Sequence, residues 1–261
     1  MNLIYMIIFF ILGLHMGSFY TVVGLRLPNH EKFITGRSHC DHCNHSLSFF
    51  DMIPLLSYFF YRGKCRYCKS KISPLSSYME FFSGILYLLS YIVFGFTFEM
   101  LIALGIVSLL IIVSVSDISY YMIPDELLVF FSVYFYLLIL LKDGFSYSIL
   151  SLLSGVFLFT VMYLIMIFGN YLFKKESLGG GDIKMMFVFG LILPPLLGVI
   201  SIFLGSFLAL PVSLLILLKK KNHLVPFGPF LLISLTFLYF TQINVEMILS
   251  FFKLLSFGFI G

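Results

Sequence analysis

Two aspartates sit where charge is expensive. Asp117 ends a long apolar run in Ser116-Asp117-Ile118-Ser119-Tyr120-Tyr121-Met122-Ile123-Pro124-Asp125, and Asp182 follows three glycines in Leu178-Gly179-Gly180-Gly181-Asp182-Ile183-Lys184. An ionisable group in such surroundings points to function by default. Two apposed carboxylates can share one proton, one deprotonating a water while the other protonates or polarises a carbonyl, and their titration then belongs to the pair. Without Cβ atoms, Gly179, Gly180 and Gly181 permit close approach of an extended peptide to the backbone. Pro226-Phe227-Gly228-Pro229 offers another stretch of irregular backbone. Lys184 is placed either to orient the carboxylates or to snorkel to the interface. A structural reading competes: Asp is common at helix starts, and Asp182 then serves as a cap. Glu80, early in the second span, is a third candidate, placed to pair with a basic residue such as Lys184. Asp125 and Glu126 read as helix-start residues, and His15 as a packed polar residue.

The second constellation is Cys40-x-x-Cys43, 21 residues, then Cys65-x-x-Cys68, which includes every cysteine of the chain. Two such knuckles read as a tetrahedral zinc site. Four thiolates close the coordination, so the site is structural. A loop of about 50 residues is too small to fold on its own core, and a metal staples it. The alternative is a pair of disulfides, which requires an oxidising compartment. His39, His42 and His45 crowd the first knuckle and read as solvated loop residues.

These groups need elements to carry them. The 261 residues are 61% hydrophobic and 11% charged, without Trp, at a mean hydropathy of +1.08. A soluble domain carries about a quarter charged residues, and disordered chains are poor in apolar ones. What remains is an all-α polytopic membrane protein. A bilayer core needs about 20 apolar residues per helix. The candidate spans are 3–25, then about 77–96, 99–116, 127–141, 145–169, 183–198, 199–218 and 227–247. The first is a retained span rather than a signal peptide, since no basic residue precedes it and Arg26 follows. The fourth and sixth are short and suit broken helices.

Basic residues fix the orientation. With eight spans, 14 of the 16 Lys and Arg residues fall on one side, and only Lys142 and Lys253 on the other. The expectation is about eight transmembrane helices, both termini outside, and a small cytoplasmic zinc-type loop domain. Residues 1–25 form the first helix, 26–76 the four-cysteine module and 77–261 a seven-helix membrane bundle. In this topology Asp117 and Asp182 both lie near the cytoplasmic face. The apolar stretch from about Gln242 to Gly261 is expected on the outer interface or as an extension of the last helix.

Taken together the motifs resemble the prepilin peptidases, the type IV leader peptidase family of membrane GxGD aspartic proteases. Gly17-Ser18-Phe19 followed by Arg26-Leu27-Pro28 is similar to the family's first helix and its exit. Cys40 to Cys68, with Pro54-Leu55-Leu56-Ser57-Tyr58 between the knuckles, resembles its cytoplasmic loop. Ile72-Ser73-Pro74, Tyr78 and Glu80 resemble the entry to its second helix. Asp117 with Ile123-Pro124-Asp125 matches its first aspartate motif, and Lys175 to Lys184 its second. Pro226-Phe227-Gly228-Pro229 resembles its late turn. One departure is Tyr20-Thr21, where the family often has Leu-Asn.

The resemblance implies removal of the basic leader from prepilins or pseudopilins at the cytoplasmic side of a bacterial inner membrane, with Asp117 and Asp182 as the catalytic pair. It also implies methylation of the new amine by S-adenosylmethionine in many members. The implied partners are those precursors and the lipid bilayer, with no nucleic acid. Two other classes fit parts of the pattern. A transporter would use Asp117 and Asp182 as proton or cation sites, and a non-catalytic scaffold would dock partners on the cysteine loop.

Overall fold

The computed structural model describes residues 2–33, 39–40, 42–175, 178–219, 225–247 and 250. Arg37, Lys220, Lys221 and Lys253, and most of the stretch after Gln242, lie outside them. The described residues form eight α-helices: α1 Leu3–Arg26, α2 Leu56–Phe60, α3 Leu75–Phe94, α4 Phe98–Tyr120, α5 Asp125–Phe173, α6 Gly180–Ile192, α7 Pro195–Lys219 and α8 Gly228–Phe240. Among the described residues there is no strand beyond two isolated bridges. In lipid a helix satisfies its own backbone, which is why these apolar runs adopt it. Among the described residues, five helices are long and apolar enough to cross a membrane. The chain divides into two compact units, residues 1–122 and 123–261.

In the first unit α1 packs most closely on α3. A Cβ at Gly13 would stand 2.6 Å from the Cβ of Tyr87, and one at Gly17 would stand 2.8 Å from the Cα of Glu80. Small residues four apart thus let two backbones meet, the usual device of membrane helix pairs. A buried hydroxyl chain joins three helices: Ser108 donates to Tyr20 Oη at 2.7 Å, and Tyr20 and Tyr87 Oη lie 2.6 Å apart. Helix α4 begins at an N-cap, Thr97, and is buried along most of its length.

In the second unit α5 packs on α6. At 49 residues a straight α5 would be about 74 Å long, more than twice a bilayer core. It is broken at Gly144, where φ is 81° and ψ is −179°. Only glycine adopts such a conformation cheaply. The break falls in the gap expected between 127–141 and 145–169. The boundary expected at 198/199 is displaced. Helix α6 stops at Ile192, because Pro194 forces Leu193 into extended backbone (φ −109°, ψ 144°). Ser154 then donates to the freed Leu193 carbonyl at 3.0 Å. Helix α7 packs on α8, where Ser234 donates to the Ser201 carbonyl at 2.7 Å.

Candidate functional site

Asp117 occupies the last turn of α4, and it is buried. The chain reverses at Tyr121, whose left-handed conformation (φ 54°, ψ 37°) lets its N–H donate to the Asp117 carbonyl at 2.9 Å. Ser116 Oγ donates to the Met122 carbonyl across the same turn. Both neighbouring bonds fix the backbone from which the Asp117 carboxyl projects.

Asp182 stands in the first turn of α6, after the extended N-cap Gly179, and is also buried. A carboxylate there is favoured by the helix dipole. The three glycines have three different surroundings. A Cβ at Gly179 would lie 3.2 Å from Asp182 Oδ2, so the missing side chain leaves room for that carboxylate. A Cβ at Gly181 would lie 2.8 Å from the Cβ of Ile123. A Cβ at Gly180 would meet nothing within 4 Å.

Ile123 thereby seats on the glycine turn, and two residues further on Asp125 receives both of its hydrogen bonds from Lys184 Nζ, at 2.8 and 2.7 Å. The Ile123-Pro124-Asp125 stretch and the Gly179–Lys184 stretch are one construction within the second unit. The ion pair is half exposed, so it contributes little stability and chiefly fixes register. Lys184 therefore pairs with Asp125, which corrects the expected pairing with Glu80.

Glu80 has a different task. Its buried carboxylate accepts from the Leu55 N–H at 2.9 Å and from the Ser76 hydroxyl at 3.3 Å. Leu55 has φ 61° and ψ −50°, and the Leu56 N–H bonds back to the Pro54 carbonyl at 2.6 Å. That is a γ-turn with positive φ, a rare and strained conformation. Glu80 ties this turn to the second turn of α3.

The four cysteine Sγ atoms all lie within 4.8 Å of one another. The two knuckles repeat one pattern. Cys40 N–H donates to His45 O and Asn44 N–H to Cys40 O, while Cys65 N–H donates to Ser70 O and Lys69 N–H to Cys65 O. Asn44 and Lys69 both take positive φ, 54° and 62°. The Sγ atoms of Cys40 and Cys68 are 3.8 Å apart. That is too long for a disulfide and equals the edge of about 3.8 Å that four thiolates make around zinc at about 2.3 Å. The donor set therefore fits a tetrahedral metal.

The thiols are also electrostatically unequal. The hydroxyl and N–H of Ser70 draw Cys68 down to about 6. The N–H groups of Cys43 and His42 draw Cys40 down. The His45 N–H pulls on Cys43 too, but desolvation and the neighbouring Cys40 and Cys68 outweigh it and hold Cys43 up at about 11. Four sulfur donors this close could hold a metal ion between them.

The histidines are not in the sulfur cluster, and His45 lies on the Tyr67 ring, 3.6 Å between centroids. His15 Nδ1 bonds to the Ile11 carbonyl of its own helix at 2.9 Å, and the residue is exposed rather than packed as expected.

One organising residue escaped the sequence reading. Asp51 closes a capping box with Ser48 through bonds of 3.0 and 2.7 Å, and Arg66 approaches at 3.9 Å. Burial opposes its ionisation, but the Ser48 bonds and the Arg66 charge prevail and hold its carboxyl below the usual value. The spacing Ser48-x-x-Asp51 was the available signal. The Pro226–Pro229 turn opens α8 as expected, with Gly228 and Pro229 buried and the Phe227 carbonyl accepting from Phe230 and Leu231.

Comparison with known proteins covers nearly the same stretches. Residues 11–94 match the bacterial peptidase A24 N-terminal domain, and residues 104–214 match the type IV leader peptidase family. The prepilin leader peptidase/N-methyltransferase of Bacillus subtilis is 36% identical over 188 residues, covering 71% of this chain and 73% of the relative. Its Vibrio cholerae counterpart is 28% identical over 251 residues, covering 92% and 98%. A type 4 prepilin-like proteins leader peptide-processing enzyme of Escherichia coli is 27% identical over 221 residues, covering 82% and 76%. No solved structure matches the chain. A strained loop bound to α3, a four-thiol cluster and two interlocked aspartate motifs thus occur in a chain that belongs to the type IV leader peptidase family.

Proposed function

We propose that the protein is a membrane aspartic endopeptidase that removes the basic leader from type IV prepilins or pseudopilins. The observation that carries this reading is the interlock of Ile123 with Gly181 and of Asp125 with Lys184. Both aspartate motifs lie within the stretch that matches the type IV leader peptidase family, which supports Asp117 and Asp182 as the catalytic pair.

In the proposed step the two carboxyls hold one proton and one water. One takes a proton from the water, whose oxygen attacks the scissile carbonyl, while the other gives its proton to that carbonyl oxygen. The C–N bond then breaks, the new amine takes up a proton, and the leader leaves as a carboxylic acid. No covalent enzyme intermediate forms. Gly180, with open space where a side chain would be, supports approach of the extended substrate to the α6 start.

The proposal includes about eight spans, counting the two arms of α5 separately, in a bacterial inner membrane with both termini outside and the active site near the cytoplasmic face. It keeps residues 26–76 as a cytoplasmic module. Cys40, Cys43, Cys65 and Cys68 hold a structural Zn2+, which supplies the positive charge that their thiolates lack. Methylation of the new amine by S-adenosylmethionine rests on the names of the relatives alone. Pro226, Phe227, Gly228 and Pro229 are proposed as active-site backbone, and Lys184 as the residue that sets the register of the aspartate turn.

The test is co-expression with a prepilin carrying a basic leader, read by intact mass. Loss of the leader with the native chain is the expected result. A further gain of one methyl group on the product would establish the second activity. An intact precursor beside abundant, membrane-inserted native chain would contradict the proposal, and proton or cation flux through reconstituted vesicles would then favour a transporter.

A further inference from the structure

The cysteine module carries apolar side chains that its own fold leaves bare. In α2, Leu56, Phe59 and Phe60 are exposed, the two phenylalanines at 73% and 78%. Those values match Phe203 and Phe207 on the spanning helix α7, at 71% and 73%. A water-facing loop does not normally hold such a patch without a partner.

The partner is indicated by where the patch is held. Leu55 is fixed to Glu80, in the second turn of the apolar helix α3. The γ-turn at Leu55 starts α2 at the very next residue. Five helical residues advance only about 7.5 Å. Phe59 and Phe60 are therefore kept close to the end of a membrane-crossing helix. Tyr78, in the first turn of α3, is exposed at 70% and brings an amphipathic ring to the same end, as is typical at a membrane interface.

The charges agree. Arg62, Lys64, Lys69 and Lys71 follow α2 and are all exposed, while the one acid of the stretch 51–71, Asp51, is engaged by Ser48 and Arg66. A bare apolar ridge beside a basic surface fits a bilayer interface with anionic headgroups.

We infer that α2 is an interfacial anchor. Leu56, Phe59 and Phe60 insert into the headgroup and acyl boundary of the membrane that the chain spans, and Arg62, Lys64, Lys69 and Lys71 face anionic lipid. The cysteine module is thereby held down on the membrane at a second point besides its chain ends. This inference does not depend on the peptidase reading.

The chain contains no Trp, so a single introduced one reports alone. Full-length Phe59→Trp and Phe60→Trp proteins are reconstituted in vesicles of phosphatidylcholine with and without phosphatidylglycerol, with Phe207→Trp as the lipid-facing reference. Brominated lipids should quench most of the emission from positions 59 and 60, approaching the loss at position 207, and aqueous acrylamide should quench little. Quenching by brominated lipid should rise with phosphatidylglycerol, and high salt should reverse the rise. Replacing Lys64, Lys69 and Lys71 with Ser should abolish the rise. Strong acrylamide quenching with no effect of brominated lipid at both positions would overturn the anchor and leave the patch for a protein partner. Equal lipid quenching in both vesicle types would overturn the role given to the basic residues.

Discussion

Gly179, Gly180 and Gly181 look interchangeable in the sequence, yet each has its own reason. Gly181→Ala forces its Cβ against Ile123 and should destabilise the protein by about 1–3 kcal/mol, seen as a lower unfolding midpoint in detergent. Gly180→Ala meets nothing and should leave that midpoint nearly unchanged. Under the proposed mechanism it should still slow leader removal, by crowding the substrate. The thiols offer a test of another kind. In metal-free protein, alkylation of Cys68 should rise through about pH 6, where its thiolate forms, whereas Cys43 should stay protonated until about pH 11. Mass mapping of the labelled cysteines over pH reads this order directly. Added Zn2+ should protect all four.

Elements show where sequence patterns reach and where they stop. The pause between 127–141 and 145–169 was legible because Lys142 and Asp143 interrupt an apolar run too long for one span, whereas the break itself falls at Gly144. The α6–α7 break was misplaced by several residues, since hydropathy passes smoothly through Pro194 and Pro195 while backbone geometry does not. The two knuckles were legible from spacing alone. The γ-turn at Leu55 was not, because nothing in Pro-Leu-Leu announces a positive φ. Nor was the partner of Glu80, a backbone N–H 25 residues earlier.

That contact carries its own prediction. Glu80→Ala leaves the Leu55 N–H without its acceptor and should cost about 1–3 kcal/mol, with loosened protection of residues 53–60 in hydrogen exchange. Glu80→Gln keeps an acceptor oxygen and should recover most of the loss. Leu55→Gly relieves the strained turn and should stabilise the loop by about 1 kcal/mol. Equal behaviour of Glu80→Ala and Glu80→Gln would show that charge, not the hydrogen bond, holds the loop.

At the scale of the whole molecule, the chain combines two compact units. Its charges are few, and two carboxylates of the apolar helices have named tasks: Glu80 holds the loop, and Asp125 pairs with Lys184. Asp117 and Asp182 are both buried, one in each unit, and are the carboxyls proposed to do the chemistry. The central claim is that these two act together on a peptide bond. The most direct measurement is leader removal from a purified prepilin by the chain in proteoliposomes, comparing native, Asp117→Asn and Asp182→Asn proteins at equal insertion. The account predicts that each single change lowers the rate by about 10³-fold or more, with the double change hardly worse than either alone. Near-native cleavage by either single variant would contradict it.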